Sequence, residues 1–402
     1  MFNNNIKKKK FLFFSIIYIF LISFEYSFIR PASTSIFIHN FKSESLPYAW
    51  IAMIPLNFFV IYGYNYFLPK IGSFRLFFLL SLMTIFVNTT SVFYNGRFVF
   101  FQFIWKEIYI LLMLKQIWSL IHSSIDFKNA KYIYGILFAT GGIGGLLGGV
   151  VPGFFASNLG SSRLFFVTLP IYSLLILIYF KAYYYSNIFE KKENFDKNIK
   201  GYFFTLKNSK YLIFLLLIVL FMQMSVTLID YQFNFFLEKN ILNVDLRTEY
   251  IGKLTCIIHS ITIFLQLIGS FLIIRFLGLR KIHLIIPLSL LGNLILLLFK
   301  PTFFIISYLF VYIKSMDFSI FNISKEMLYL PVKIDEKFRA KAIIDVFSYR
   351  TAKGLSSICL LFVGFFNMNF LIFYFLLMIS IIWILSLRFL FKEHNLLGYS
   401  IL

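Results

Sequence analysis

Carboxylates are scarce in this chain. Only 17 Asp and Glu stand against 38 Lys and Arg, and charged residues of both signs make up 14% of its 402 residues. Soluble domains carry about 25%, so a surface that faces water all round is excluded. Cysteine is nearly missing. Cys256 and Cys359 both fall inside apolar runs, which excludes a disulfide framework. The five histidines, His39, His122, His259, His283 and His394, are scattered. They lack metal-ligand spacing, so neither a metal nor a cofactor is expected. The chain has no G-x-x-x-x-G-K-[ST] loop, no H-E-x-x-H and no Asp-rich pair. P-loop pumps and metal-dependent membrane enzymes are therefore disfavoured, and a secondary carrier rather than an enzyme is expected.

What the chain does contain is apolar. Hydrophobic residues reach 60%, Phe alone numbers 56, and the mean hydropathy is +0.83. Soluble domains sit near 45–50% apolar, so an integral membrane protein with the lipid bilayer as its partner is expected. The formal net charge of +21 does not imply a nucleic-acid partner. Most Lys and Arg lie in short loops between apolar spans, where they orient the protein. Phe, Ile, Asn and Lys also have AT-rich codons, so part of the Lys excess reflects base composition. Lys7 to Lys10 followed by an apolar run resembles a signal peptide. No small-x-small cleavage site follows, and the run continues too far, so it reads as an uncleaved first helix.

A spanning helix needs about 20 apolar residues, and that rule places about twelve spans. They are 11–38, 46–68, 75–93, 99–121, 132–157, 161–184, 210–237, 248–274, 279–299, 301–323, 338–366 and 369–391. Two loops are long and polar, 185–209 and 324–337. The first divides the chain into an N-terminal six-helix half (1–184), a linker (185–209) and a C-terminal six-helix half (210–402). With the N-terminus inside, the cytoplasmic segments collect several times more Lys and Arg than the outer ones, so both termini are expected in the cytoplasm. The halves carry faint internal similarity: Ala130-Lys131 and Gly144 align with Ala340-Lys341 and Gly354 at one offset, and Arg30 falls opposite Asp230 at a similar one. This all-α, six-plus-six arrangement describes the major-facilitator architecture, in which substrate binds midway between the halves.

Two features bear on function. The fifth span reads YGILFATGGIGGLLGGVVPGFFA. Gly141, Gly145, Gly149 and Gly153 form one stripe, with Gly144 and Gly148 in a second and Pro152 at a kink site. Small residues at this spacing let helix backbones approach closely, either as plain packing or as a sliding seam. The second feature is charge within spans, which costs about 2.5–3.5 kcal/mol per residue on insertion scales. Glu25 and Arg30 lie in the first span, Lys106, Glu107 and Lys115 in the fourth, Asp230 in the seventh, Lys314 and Asp317 in the tenth, and Asp345, Arg350 and Lys353 in the eleventh. Arg350 and Lys353 share a helix face. Two cations there suit an anion such as a phosphate chain, unless acids on neighbouring helices pair with them structurally.

The segment SIFNISKEMLYLPVKIDEKFRAKAIIDVFSYRTAKG resembles the tenth and eleventh helices of the ATP/ADP translocases of plastids and obligate intracellular bacteria. The matching positions are Lys325, Glu326, Met327, Pro331, Lys341, Ala342, Ile344, Asp345 and Arg350, followed by Lys353. In the first half, Trp118, Ala130, Lys131, Gly135 and the glycine run are also similar, as are Arg30 and Pro31 more weakly. Family members are longer than this chain. The resemblance implies a carrier of nucleotides, by ATP/ADP-type exchange, or of a related phosphorylated anion. Arg30, Lys115, Arg350 and Lys353 would bind phosphate, and Glu25, Glu107, Asp230 and Asp345 would orient these cations or couple a proton. A monomer in a bacterial inner membrane is expected. Two alternatives stay open: a proton-coupled symporter of another small metabolite, and a non-transporting degenerate paralogue.

The topology is testable by cysteine labelling. In a cysteine-free background, Lys197→Cys and Lys333→Cys should stay unlabelled by a membrane-impermeant maleimide added to intact cells, and should label after lysis. Strong external labelling at either site inverts the orientation.

Overall fold

In the computed structural model the described residues are 2–93, 96–124, 127–186, 209–267, 274–329, 332, 334–366 and 368–396. They form helices α1 (Phe2–Phe41), α2 (Leu46–Ile71), α3 (Ser73–Thr90), α4 (Arg97–Ser124), α5 (Phe127–Leu159) and α6 (Thr168–Tyr185). After the linker come α7 (Lys210–Asn240), α8 (Val244–Phe264), α9 (Ile274–Phe299), α10 (Phe303–Leu328), α11 (Ile334–Phe365) and α12 (Leu371–Leu396). Each coincides with one expected span, and no strand occurs among the described residues. Ten are long and apolar enough to cross a membrane. The other two, α4 and α11, carry Lys106, Glu107 and Lys115, and Arg350 and Lys353.

Helix ends follow local chemistry. Gly72 adopts φ 82° after α2 and donates its N–H to Leu68 O at 3.0 Å, closing the helix in a conformation that only glycine reaches cheaply. Asn243 begins α8, its side-chain oxygen accepting from the N–H groups of Asp245 and Leu246 at 2.8 and 3.1 Å. One boundary departs from expectation. The loop placed at 324–337 is shorter, because α10 runs on through Asn322–Leu328. Lys325 and Glu326 read as loop by polarity, but the Lys-Glu-Met-Leu run is strongly helix-forming, and Lys325 is buried. Most of the linker, with Lys197, lies outside the described residues, as do Pro331 and Lys333 and the side chains of Ala130, Lys131, Lys341 and Asp345.

The chain divides into two compact units. The first holds Met1–Ser45, Ala52–Asn194 and Ile241–Ser260; the second holds Leu46–Ile51, Phe195–Asn240 and Ile261–Leu402. The units therefore trade short segments across the sequence midpoint, with most of α8 grouped in the first. Within the first unit α1 packs on α4, α5 and α6, and α3 packs on α6 and α4. Within the second, α7 packs on α10, α11 and α12, and α9 packs on α12 and α10. The same helix ranks thus meet in each half. Aromatic stacking repeats as well: Phe37 lies on Phe103 between α1 and α4, and Phe233 on Phe310 between α7 and α10, each at 4.1 Å.

The glycines of α5 face two different helices. A Cβ at Gly144 or Gly148 would strike the backbone carbonyls of Phe20 or Phe24 in α1. Gly141 also looks toward α1, but only toward side chains, Ser23 Oγ at 3.3 Å and Ile19 Cγ2 at 3.4 Å. The remaining three face α8. A Cβ at Gly145 would lie 2.5 Å from the His259 ring, at Gly149 3.0 Å from Cys256 Sγ, and at Gly153 2.9 Å from Lys253 N. Gly252 of α8 meets Gly153 N at 2.5 Å by the same measure. Two acids extend this antiparallel seam. Glu249 accepts from the N–H and hydroxyl of Ser157, and Asp245 accepts from those of Ser161 at 2.7 and 2.6 Å. The stripe of four is therefore a stripe of three on α8 plus one glycine on the α1 side.

Overpacking against a backbone that cannot yield costs about 1–3 kcal/mol. Gly148→Ala and Gly252→Ala should each lower the melting temperature of the detergent-purified protein by several degrees. Gly141→Ala and Ile143→Ala should leave it near that of the parent, since Ile143 is 47% exposed. Equal melting temperatures for all four would remove close backbone contact as the basis of this packing.

Candidate functional site

The intramembrane charges of the first unit gather around the inner turns of α1. Tyr26 donates its hydroxyl to Glu107 of α4 at 3.2 Å, and the Arg30 guanidinium sits 5.9 Å from the Tyr26 ring centre. One turn of α1 therefore links Glu107, Tyr26 and Arg30 into a row. Ser27, on the next position, lies 3.3 Å from His259 Nε2 of α8, and Arg30 acts electrostatically on that imidazole. His259 fits there because Gly145 has no side chain. Glu25 points elsewhere. It is fully buried, and the Tyr109 hydroxyl donates to it, 3.0 Å from each carboxylate oxygen. Lys106 is buried too, donating to Thr34 at 3.0 Å over the Phe103 ring. Lys115 stands about 12 Å farther along α4 than Glu107, at 1.5 Å per residue. It is exposed and donates to Asn65 at 3.2 Å.

The second unit has its own row, along α10. Lys314 forms an ion pair with Asp230 of α7 at 3.6 Å. One turn later Asp317 is buried and accepts from Gln223 of α7 at 2.8 Å. Both side chains reach across to α7. From Asp317 to Phe321 the helix widens into a π turn, and Gln266 donates to the Phe318 carbonyl in that turn at 2.9 Å. Such turns often mark functional positions in helices. Lys325 is buried, 5.9 Å from the Tyr349 ring centre, and with Lys314 acts electrostatically on Asp317.

Arg350 and Lys353 lie half-buried on α11. Lys353 Nζ is 5.5 Å from the Trp50 ring centre. Arg350 makes no hydrogen bond or ion pair among the described residues. Of the acids expected to orient cations, Asp230 meets Lys314, Glu107 shares Tyr26 with Arg30, and Glu25 meets the Tyr109 hydroxyl and no cation among the described residues. The side chain of Asp345 lies outside the described residues.

Residues 303–394 match the family model described as TLC ATP/ADP transporter. The stretch spans α10, α11 and nearly all of α12, and it includes the Lys-Glu-Met run and Arg350 on which the sequence resemblance rested. A search of curated proteins finds no match. Solved structures are similar over almost the whole chain. A variant of the nucleoside transporter NupG aligns at 13% identity with TM-score 0.70, covering 96% of this chain and 100% of that one. NupG itself aligns at 12% identity with TM-score 0.66, covering 96% and 99%. A bacterial homologue of the human lysosomal transporter Spinster, inward-facing and unoccupied, aligns at 12% identity with TM-score 0.56, covering 96% and 98%. Identity this low speaks to fold alone. The fold is all-α and of the major-facilitator type.

Some of the site was not visible in sequence. In the sequence His259 is one of five scattered histidines, and Arg247 stands just before the eighth expected span. Arg247 is in fact buried and donates to Ile241 O at 3.1 and 2.9 Å, tying the α7–α8 turn. The available signal was the face of α8 made by Asp245, Glu249, Gly252, Cys256 and His259, whose helical spacing mirrors the glycine stripe of α5.

The Lys314–Asp230 pair is testable by a double-mutant cycle. Lys314→Met and Asp230→Asn should each destabilise the protein by about 2 kcal/mol, because each leaves one buried charge unmatched. Asp230 keeps 20% of its side chain exposed, which moderates the loss. The double variant should recover most of it, and additive losses would show that the two charges are not coupled.

Proposed function

We propose that the protein is a secondary carrier that moves nucleotides, or a related phosphorylated anion, through a bacterial inner membrane by alternating access, with exchange as the working mode. The observation that carries this reading is Arg350. Its guanidinium has no hydrogen-bond or ion-pair partner among the described residues, and it lies on α11 inside the stretch that matches the ATP/ADP transporter family model. Arg offers a fork of donors that matches phosphate oxygens, and Lys353, three residues on, adds a point charge on the same face. In this reading Arg30 and Lys115 are the cations of the first half. Glu107 orients Arg30 through Tyr26, and Asp230 keeps Lys314 in place. Both termini lie in the cytoplasm, and the carrier works as a monomer. Nucleoside transport by NupG supports a nucleobase-bearing solute as the class to test first.

A second reading, proton-coupled symport, is favoured by Glu25. A carboxyl group this deep with one hydroxyl partner is an unusual expense unless it serves coupling. The two readings part in one experiment. Intact cells expressing the protein are given labelled ATP, ADP or nucleoside, with or without unlabelled nucleotide preloaded. Exchange predicts uptake that depends on preloading. Symport predicts uptake that depends on the proton gradient and ignores preloading.

Arg350→Ala should raise the apparent half-saturating nucleotide concentration about tenfold or more, the loss expected for a hydrogen bond to a charged group. Lys353→Ala should weaken binding less, and Arg350→Lys should recover part of it. Because Arg350 has no partner among the described residues, the melting temperature of Arg350→Ala should stay within a degree or two of the parent. Unaltered affinity for every nucleotide tested in both alanine variants would remove the phosphate clamp.

A further inference from the structure

One cavity lies away from the charged rows. Within the second unit, α9 packs against α12, and between them lies a cavity of about 300 Å³ lined by Arg280, Leu284, Leu288, Ile384, Leu387, Arg388 and Phe391. The lining follows helical spacing on both walls. Arg280, Leu284 and Leu288 lie one turn apart along α9, and Ile384, Leu387, Arg388 and Phe391 form one face of α12. All the lining residues except the two arginines are apolar.

The arginines stand at one level. Gly278, at φ 72°, breaks α9, so Arg280 stands at the start of the helical run that follows, and Arg388 lies about one turn inside the end of Leu371–Glu393. The start of α9 and the end of α12 are separated by four spans, so they emerge on the same side of the membrane. By the Lys and Arg distribution that side is the cytoplasmic one. Leu284, Leu288 and Ile384 then lie deeper in the hydrocarbon. Neither arginine has a hydrogen bond or an ion pair among the described residues. Lys281 and Lys392 are exposed beside them, with Glu393 the one acid in the immediate sequence.

We propose that this groove binds an anionic glycerophospholipid of the cytoplasmic leaflet. The phosphodiester sits between Arg280 and Arg388, and an acyl chain lies along Leu284, Leu288, Ile384 and Leu387. Charge selects the headgroup: two guanidinium groups near the depth of the lipid phosphates, with no carboxylate paired to them among the described residues, match a headgroup whose net charge is negative. Apolar lining selects a lipid over a soluble phosphate. A free phosphate would find only the top of the groove complementary, and the leucines below it would contribute nothing. Basic pockets between spanning helices on the cytoplasmic side are a known physical form of lipid recognition.

The test uses the full-length protein released from detergent in a native mass spectrometer, after equilibration with phosphatidylglycerol or phosphatidylcholine. Phosphatidylglycerol should be retained in preference to phosphatidylcholine. Arg280→Gln with Arg388→Gln should weaken its retention about thirtyfold, since each basic residue near an anionic leaflet contributes about fivefold. Leu288→Trp, which fills the groove and leaves both charges, should weaken it independently and so covers the case in which the double variant fails to fold. Inorganic phosphate at millimolar concentration should not displace the lipid. Equal retention of the two lipids, unchanged retention in both variants, or displacement by inorganic phosphate would overturn the proposal, the last by assigning the arginines to a soluble anion.

Discussion

Close contact between helix backbones is the constraint on which the described structure rests. Inside a bilayer the hydrophobic effect does not drive one helix onto another, because lipid is as apolar as leucine. Association then depends on van der Waals contact, and contact is greatest where side chains vanish. In the first unit that happens on two faces of α5, with Gly144 and Gly148 against the α1 carbonyls, and Gly149 and Gly153 against α8. The close approach brings α8 beside α1, and this sets Ser27 within 3.3 Å of His259. The polar row around Arg30 is a consequence of the glycines, since larger residues would hold the two helices apart.

Charge placement obeys a second constraint. Most buried ionisable groups are matched: Lys314 by Asp230, Asp317 by Gln223, Lys106 by Thr34 and Glu25 by Tyr109. These contacts tie α10 to α7 and α4 to α1, the same helix ranks in each half. They therefore specify which helices meet while satisfying groups that lipid cannot solvate. Against that background Arg350 is conspicuous, because its donors meet no acceptor among the described residues. The π turn at Asp317–Phe321 adds a local irregularity beside the paired charges, where one turn holds an extra residue.

The sequence carried the helices and a good part of the candidate site, unevenly. Spans of about 20 apolar residues were legible because each must close all its backbone hydrogen bonds internally. The end of α10 was misjudged because polarity was read as loop at Lys325 and Glu326, where packing buries the lysine. The glycine spacing was legible as a packing surface, but its division between α1 and α8 was not. Singly, His259 and the acids Asp245 and Glu249 carry no signal, because a lone polar residue does not show which helix it faces. Read as one face of α8, they match the α5 stripe turn for turn.

By itself the sequence determined that this is an all-α membrane protein of about twelve long helices, and which residues carry charge into them. Hydropathy is a property of segments, and the cost of exposing backbone to lipid leaves helices as the way for such segments to cross. Only the tertiary structure decided which charges meet. Asp230 and Lys314, or Tyr26 and Glu107, lie on different helices far apart in the chain. No local pattern records their relative rotation. That rotation is set by the side chains between helices, where the absence of a single Cβ at Gly145 admits an imidazole beside Ser27.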